Sequence, residues 1–329
     1  MIDLSIAITC FKPSKKSIEN ILIILDVINE RRDVSLSYFL NGKSGNEYEA
    51  QLLDIFNNNT TDRCLFNCID KNIGVGMGVA AAISYSNGRY VMLLGDDDLI
   101  NKDCILYILN KSHELSFDIA HQYLIDSKYT DSSKIEKFAE LNEINYSSLL
   151  AEIGFRSGAL PGFIFKRELF DDAPHWKDKL YPWIEIVFSS SISSIALLSP
   201  SKMIEIDDGP GLKDRFKDRV PRGDDYGFLE RLSYGDLAKS KSLKVAYDSY
   251  CYLWIIKISK SILLFSDSKY KSLMKANKIK FFFSQYFGKI LSTKVYIILI
   301  LLENPKILLQ VATKYLNRYI NYALYKTAD

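Results

Sequence analysis

Tyr90-Val91-Met92-Leu93-Leu94-Gly95-Asp96-Asp97-Asp98-Leu99 is the most informative stretch of the chain. A short apolar run ends at a glycine and delivers three consecutive carboxylates to one point. Such a run, bounded by turn residues, reads as a buried strand. In open α/β sheets ligands bind beyond the carboxyl ends of the strands. Three adjacent like charges are costly unless a cation or solvent compensates them. A divalent ion held by one or two carboxylates, waters and phosphate oxygens meets that need. A strand tip with such a cluster suits Mg²⁺ or Mn²⁺ diphosphate binding. The competing reading is a solvated acidic turn or a helix cap ahead of Leu99-Ile100.

Upstream, the first hundred residues alternate strand and helix signals. Leu4 to Thr9 reads as a strand, and Pro13 breaks it. Ser14 or Ser17 then caps a helix with the stripe Ile18, Ile21, Leu22, Leu25 and Ile28. Ser35 to Leu40 is a second strand, Glu47 to Phe56 a helix and Arg63 to Ile69 a third strand. Asp70-Lys71-Asn72-Ile73-Gly74-Val75-Gly76-Met77-Gly78 is a glycine-rich loop before a small-residue helix, Val79 to Tyr85. Helix N-terminal amides and close backbone approach favour phosphate groups. The loop nevertheless lacks both the G-x-G-x-x-G dinucleotide pattern and the Gly-Lys-Ser/Thr ending of a P-loop. Strand–helix alternation of this kind predicts an α/β fold with a mostly parallel sheet flanked by helices.

Residues 103–235 are mixed, with a returning strand at Leu160 to Phe165, a helix at Tyr181 to Ile192 and a loop from Asp207 to Gly227 rich in glycine and charge. The composition is 48% hydrophobic and 25% charged, ordinary for a globular chain with a sizeable core. The net charge is +2, but residues 237–329 carry +12 and the remainder −10. That basic segment interleaves Lys257, Lys260, Lys269, Lys271, Lys275, Lys278, Lys280 and Lys289 with Trp254, Phe265, Phe281, Phe282, Phe283, Tyr286 and Phe287. Apolar stripes beside lysines suit helices lying on an anionic membrane surface. No RNA- or DNA-binding module is visible, so no nucleic-acid partner is expected. The longest purely apolar run, Val295 to Leu302, is far shorter than a membrane span needs. No signal peptide is visible, and an odd five cysteines without metal spacing suggest buried free thiols in a reducing compartment. The expected location is cytoplasmic, peripheral on the cytoplasmic face of the inner membrane. His113, His121 and His175 show no metal or nucleophile pattern and read as structural or surface residues.

Residues 3–100 together resemble the family 2 glycosyltransferases, which have the GT-A fold. Leu4 to Pro13 resembles the family's opening strand. Leu40-Asn41-Gly42-Lys43-Ser44-Gly45-Asn46 occupies the place of Val-Asp-Asp-Gly-Ser-x-Asp. Asn72-Ile73-Gly74 and Asn87-Gly88-Arg89-Tyr90-Val91 match the Asn-x-Gly and x-Gly-x-Tyr-Ile segments, and Gly95-Asp96-Asp97-Asp98 follows at the spacing of the Asp-x-Asp-Asp motif. The Leu-Leu-Gly-Asp-Asp-Asp form is similar to an O-antigen and capsule subgroup that includes abequosyltransferase-like proteins. Departures are Asn41 for an Asp, Val79 and Ala80 for an Arg-Asn pair, and Gly95 for the motif's first Asp.

This resemblance implies a GT-A catalytic domain over 1–235, with a nucleotide-binding half (1–100) and an acceptor half (101–235), followed by a basic amphipathic helical region over 236–329. It implies transfer of a hexose or deoxyhexose from a nucleotide-sugar donor to a glycan or lipid-linked glycan, metal-dependent and inverting. In gap-free register Asp97 matches the family's metal-binding Asp, so the resemblance implies Asp97 and Asp98 as ligands of Mn²⁺ or Mg²⁺, with nucleotide-sugar contacts from Thr9, Phe11, Asn41, Asp70, Asn72, Gly74 and Asp96. The implied catalytic base is Glu185, flanked by Tyr181 and Trp183, which would offer a sugar platform and desolvate the carboxyl. Asp178, Asp224 and Asp225 are rivals for the base. One or two of Lys213, Arg215, Lys217, Arg219 and Arg222 in the charged loop would clamp the diphosphate as a lid. Two other functions compete: a nucleotidyltransferase making an activated sugar, and a non-catalytic scaffold at the membrane surface.

Overall fold

A computed structural model of the protein describes residues 2–59, 61–122, 137–140, 149–150, 153, 160–172, 183–187, 191–198 and 204–205. The chain divides into two units, Met1–Tyr250 and Cys251–Asp329, and every described residue belongs to the first. The elements run β1 (Leu4–Cys10), α1 (Lys15–Glu30), β2 (Val34–Asn41), α2 (Glu47–Asn59), β3 (Cys64–Ile69), α3 (Val75–Ser84), β4 (Tyr90–Gly95), β5 (Leu99–Ile100) and α4 (Lys102–Leu115). They continue with β6 (Ile119–Gln122), β7 (Lys137–Glu140), β8 (Phe163–Lys166), α5 (Glu168–Asp172), α6 (Ile184–Val187), β9 (Ser194–Leu198) and β10 (Ile204–Glu205).

Eight strands form one sheet in the order β3-β2-β1-β4-β8-β6-β9-β7, and β10 pairs with β5 in a separate ribbon. The first four strands are all parallel. β8 enters antiparallel to both β4 and β6, β9 returns parallel to β6, and β7 closes antiparallel to β9. This is the α/β, Rossmann-like architecture expected, with its parallel part in the first hundred residues.

Burial explains the sequence texture. Every residue of β1, β2 and β4 is buried, so these strands read as near-continuous apolar runs. Each fully buried Leu or Ile contributes about 1.5–3 kcal/mol by transfer. The serines among them are paired: Ser5 Oγ lies 2.7 Å from Ser35 Oγ, and Ser37 Oγ donates to Ala82 O at 2.6 Å. On one side of the sheet α1 packs Ile21, Ile24, Leu25 and Ile28 into the core. Its cap is Ser14, completed by Ser17 in a reciprocal capping box. Leu22 departs from the expected stripe, being 52% exposed, while Ile24 and Val27 are buried in its stead. Tyr38, Phe56 and Phe66 stack between α2 and the edge of the sheet.

Helix α3 starts at Val75, four residues before the expected Val79, so Gly76 and Gly78 belong to its first turns. Close packing overrides propensity here. A Cβ on Gly78 would sit 2.5 Å from Thr9 Oγ1 and 2.6 Å from Asn41 Nδ2. The helix expected over 181–192 is described only as α6. Cys10, Cys64 and Cys104 are buried free thiols as expected, whereas Cys68 is exposed. Among the described residues no helix is long and apolar enough to cross a membrane. The basic segment over 236–329 and the loop from Asp207 to Gly227 lie outside the described residues.

Candidate functional site

The strand order places β2 on one side of β1 and β4 on the other, which makes the β1–β4 pair a topological switch point. The crevice beyond the carboxyl ends of these strands is where this architecture takes ligands. Thr9 faces Gly95 across the pair. The strand ends therefore meet at one edge: Cys10 at the end of β1 with Phe11 after it, Asp96 to Asp98 after β4, and Asn41 at the end of neighbouring β2.

The acidic turn is held from below by α1. Ser17 Oγ donates to Asp96 O at 3.2 Å. Asn20, fully buried, donates from Nδ2 to Asp98 O at 2.5 Å and accepts the Ile100 N–H at 3.0 Å. Both residues lie one turn apart on the helix face that points at the sheet. They were missed in the sequence, although two polar residues inside an apolar stripe are a readable signal.

Gly95 explains one departure from the motif. A Cβ there would collide with Asp98 Oδ2 and come within 3.0 Å of Asp97 Oδ1. The Asp97 and Asp98 carboxylates thus share the space over Gly95, and Asp98 is only 5% exposed. Asp96 is engaged elsewhere, by a hydrogen bond with the buried Cys10 thiol. Burial, and then the Asp96 carboxylate, push that thiol far above its ordinary range. Two neighbouring carboxylates, one of them buried, are a hard-oxygen donor set that fits Mg²⁺ or Mn²⁺.

The rim on the β2 side is rigidly tied. Asn41, 3% exposed, donates to Gly74 O at 2.9 Å and accepts from Ile73 N at 3.0 Å. Its amide therefore spans the loop into α3. An Asp would lose the donor and set a carboxylate against a carbonyl oxygen. Asn72 Oδ1 accepts from Gly74 N at 2.7 Å, and Gly74 caps α3 at φ 89°. Asp70 is exposed and pairs with Lys43 at 2.7 Å. Glu49 gathers Ser44 N, Ser44 Oγ and Gly45 N, and Asn46 Nδ2 bonds Pro13 O, joining the loop after β2 to the loop after β1. Thr9 Oγ1 is buried without a hydrogen-bond partner under Gly78. Phe11 is 38% exposed and Ile73 44%, leaving apolar faces at the mouth. Val79 and Ala80 are buried against the sheet, a position unsuited to the arginine of the related pattern.

Thr9, Phe11, Asn41 and Asp96 to Asp98 thus share the carboxyl edge of the parallel strands, with Asn72 and Gly74 in the loop that Asn41 ties and Asp70 exposed beside Lys43. Glu185 lies in α6, and its side chain is outside the described residues. Trp183 beside it is 2% exposed and belongs to the core, so it offers no sugar platform. Asp178, Tyr181, Asp224, Asp225 and the basic residues from Lys213 to Arg222 lie outside the described residues. β10 pairs with β5 directly after the acidic turn, with Glu205 opposite Leu99. His121 is fully buried and His113 is half exposed beside Asp3.

No protein-family model matches the chain, and no curated protein matches it. Several solved structures are similar in fold. A crystal structure of S. aureus TarS 1-349 in complex with UDP-GlcNAc has a TM-score of 0.63 at 13% identity, covering 93% of this chain and 88% of that one. S. aureus TarS 1-349 in complex with UDP gives 0.55 at 13% identity, covering 91% and 81%. A longer S. aureus TarS structure gives 0.56 at 14% identity, and there the match spans half of that chain.

Proposed function

We propose that this protein is a nucleotide-sugar-dependent glycosyltransferase that builds a bacterial surface glycan, with a glycan or lipid-linked glycan as acceptor. The observation that carries the reading is the pair of carboxylates, Asp97 and Asp98, at the β1–β4 switch point of a Rossmann-like sheet. The neighbours of similar fold, described as complexes with UDP-GlcNAc and UDP, support a nucleoside diphosphate sugar as donor. The O-antigen and capsule subgroup rests on the Leu93-Leu94-Gly95-Asp96-Asp97-Asp98 form alone.

In this reading Asp97 and Asp98 hold Mn²⁺ or Mg²⁺, which supplies charge neutralisation to a departing diphosphate when bound. Asn20 and Ser17 fix the backbone of the turn, so the carboxylates meet the donor without reorganisation. Phe11 and Ile73 offer apolar faces to the base, and Asn41 shapes the loop at Gly74 rather than reading the base edge. Asp96, held by its bond to Cys10, contacts the nucleotide-sugar through its remaining lone pairs. Glu185 takes the acceptor hydroxyl proton as the nucleophile attacks the anomeric carbon with inversion. One or two of the basic side chains from Lys213 to Arg222 clamp the diphosphate. Lysines and aromatics of residues 236–329 hold the enzyme on the cytoplasmic face of an anionic membrane, near a lipid-linked acceptor.

Calorimetry with UDP, GDP, CDP and dTDP, each with and without Mn²⁺, tests the reading. One nucleoside diphosphate should bind in a Mn²⁺-dependent manner, and Asp97→Ala should abolish that dependence. Metal-independent binding of all four, or none, would favour the scaffold reading and discard this one.

A further inference from the structure

The sheet has a second cluster of ligating side chains, at the end away from the acidic turn. Asp3 precedes β1, Asp33 precedes β2, and His113 lies in the last turn of α4. Seven residues of β1 separate this end from the switch point, about 20 Å of strand. One carboxylate oxygen from each aspartate and one imidazole nitrogen all lie within 4.8 Å of one another. Among the described residues no other trio of His, Cys, Asp or Glu comes this close. Asp3 Oδ2 is 3.6 Å from His113 Nε2.

Charge and framework both favour a cation there. Arg31 Nε and Nη2 donate to Asp33 Oδ1 and Oδ2 at 3.0 and 2.7 Å, while Asp3 lies against His113. Arg31 is also the C-cap of α1, so two long helices, α1 and α4, end their dipoles at this corner with the negative pole. The aspartates are mutually fixed, because Asp3 N and Leu4 N both donate to Asp33 O at 2.9 and 3.1 Å. A carboxylate has about four lone-pair sites, so the two taken by Arg31 leave others for an ion. Ligating carboxylates are characteristically oriented by just such outer hydrogen bonds. His113 is half exposed, which gives entry from solvent.

We propose that Asp3, Asp33 and His113 bind one divalent transition-metal ion of the zinc class, with water completing the shell. Imidazole nitrogen and carboxylate oxygen are ordinary ligands for that ion. The ion ties the last turn of α4 to the starts of β1 and β2, and it is separate from the ion proposed for sugar transfer.

The test uses the full chain, stripped with EDTA and titrated with Zn²⁺ alone, in the unsubstituted form and in Asp97→Ala. Both should bind one Zn²⁺ and gain melting temperature, and His113→Gln should lower the affinity at least about tenfold. Unchanged Zn²⁺ binding in His113→Gln overturns the proposal, as does the absence of binding at this stoichiometry. Stabilisation that follows pH but not Zn²⁺ assigns the cluster to a protonated ion pair and also overturns it. If His113→Gln does not fold, Cu²⁺ bound to the unsubstituted chain should show nitrogen coupling in its electron paramagnetic resonance spectrum. An all-oxygen spectrum sinks the assignment.

Discussion

Gly95 stands where the related motif has an aspartate, and its missing side chain is what lets Asp97 and Asp98 fold back over the strand end. Gly95→Ala should therefore force the buried Asp98 carboxylate outward. The expected cost is about 1–3 kcal/mol of stability, as for overpacking in a closed site, with weaker Mn²⁺-dependent nucleotide binding. Urea unfolding and calorimetry read the two effects, and a variant equal to the parent in both would refute the packing account. The aspartates themselves were legible in the sequence because three like charges after an apolar run are a purely local signal. Their division of labour was not. Asp96 meets Cys10, more than eighty positions earlier in the chain, and no spacing rule announces a contact of that range. Asn41 is similar: its departure from the related pattern was visible, but the reason lies in two hydrogen bonds to the loop before α3.

Helix α1 has a double duty, filling the core with one set of residues and gripping the acidic turn with another. Asn20→Ala removes both bonds to that turn and leaves the Ile100 N–H and the Asp98 carbonyl unsatisfied in a buried setting. The loss should be about 1–3 kcal/mol, the usual cost of stranding buried polar groups, measured by urea unfolding. The same variant should need more Mn²⁺ for half-saturation of nucleotide binding, and an unshifted metal requirement would show that the grip is only structural. Strands β1 to β4 and helices α1 and α2 were legible because period and turn residues agree along them. α3 was misplaced at its start because glycine usually argues against helix, and only the approach to Thr9 and Asn41 reveals why Gly76 and Gly78 are helical. Leu22 was misassigned because the apolar stripe of α1 is wider than the face that meets the sheet.

The later part of the sheet depends on one buried charge. Asp118, 4% exposed, accepts from Lys166 Nζ and from Ser193 N, Ser193 Oγ and Ser194 N, joining β6, β8 and β9. Burial alone would raise its carboxyl, but the Lys166 and Ser193 bonds together outweigh that and hold it below the ordinary range. A carboxyl lowered on folding contributes stability above its unfolded value, about pH 4, and loses it as pH falls through the lower folded value. Melting temperature should accordingly drop on acidification below about pH 4. Asp118→Asn should be less stable at neutral pH and show a flatter acid limb. An acid limb of unchanged slope in the variant would assign the acid sensitivity to other carboxyls. Of this, the sequence showed only β8, as the returning strand expected at Leu160 to Phe165; the rest was hidden because β6, β7 and β9 are short and pair out of chain order, with β8 wedged between β4 and β6.

That wedge also constrains how the molecule can move. With β8 bonded on both flanks, the parallel strands and the later strands share one unbroken ladder, so they behave as a single plate. Hinge bending between them would rupture a row of main-chain bonds. For the proposed glycosyl transfer, this places any timing motion in segments that leave the sheet rather than in a clamshell motion, and probes attached to the strands should report the same spacing with and without nucleotide.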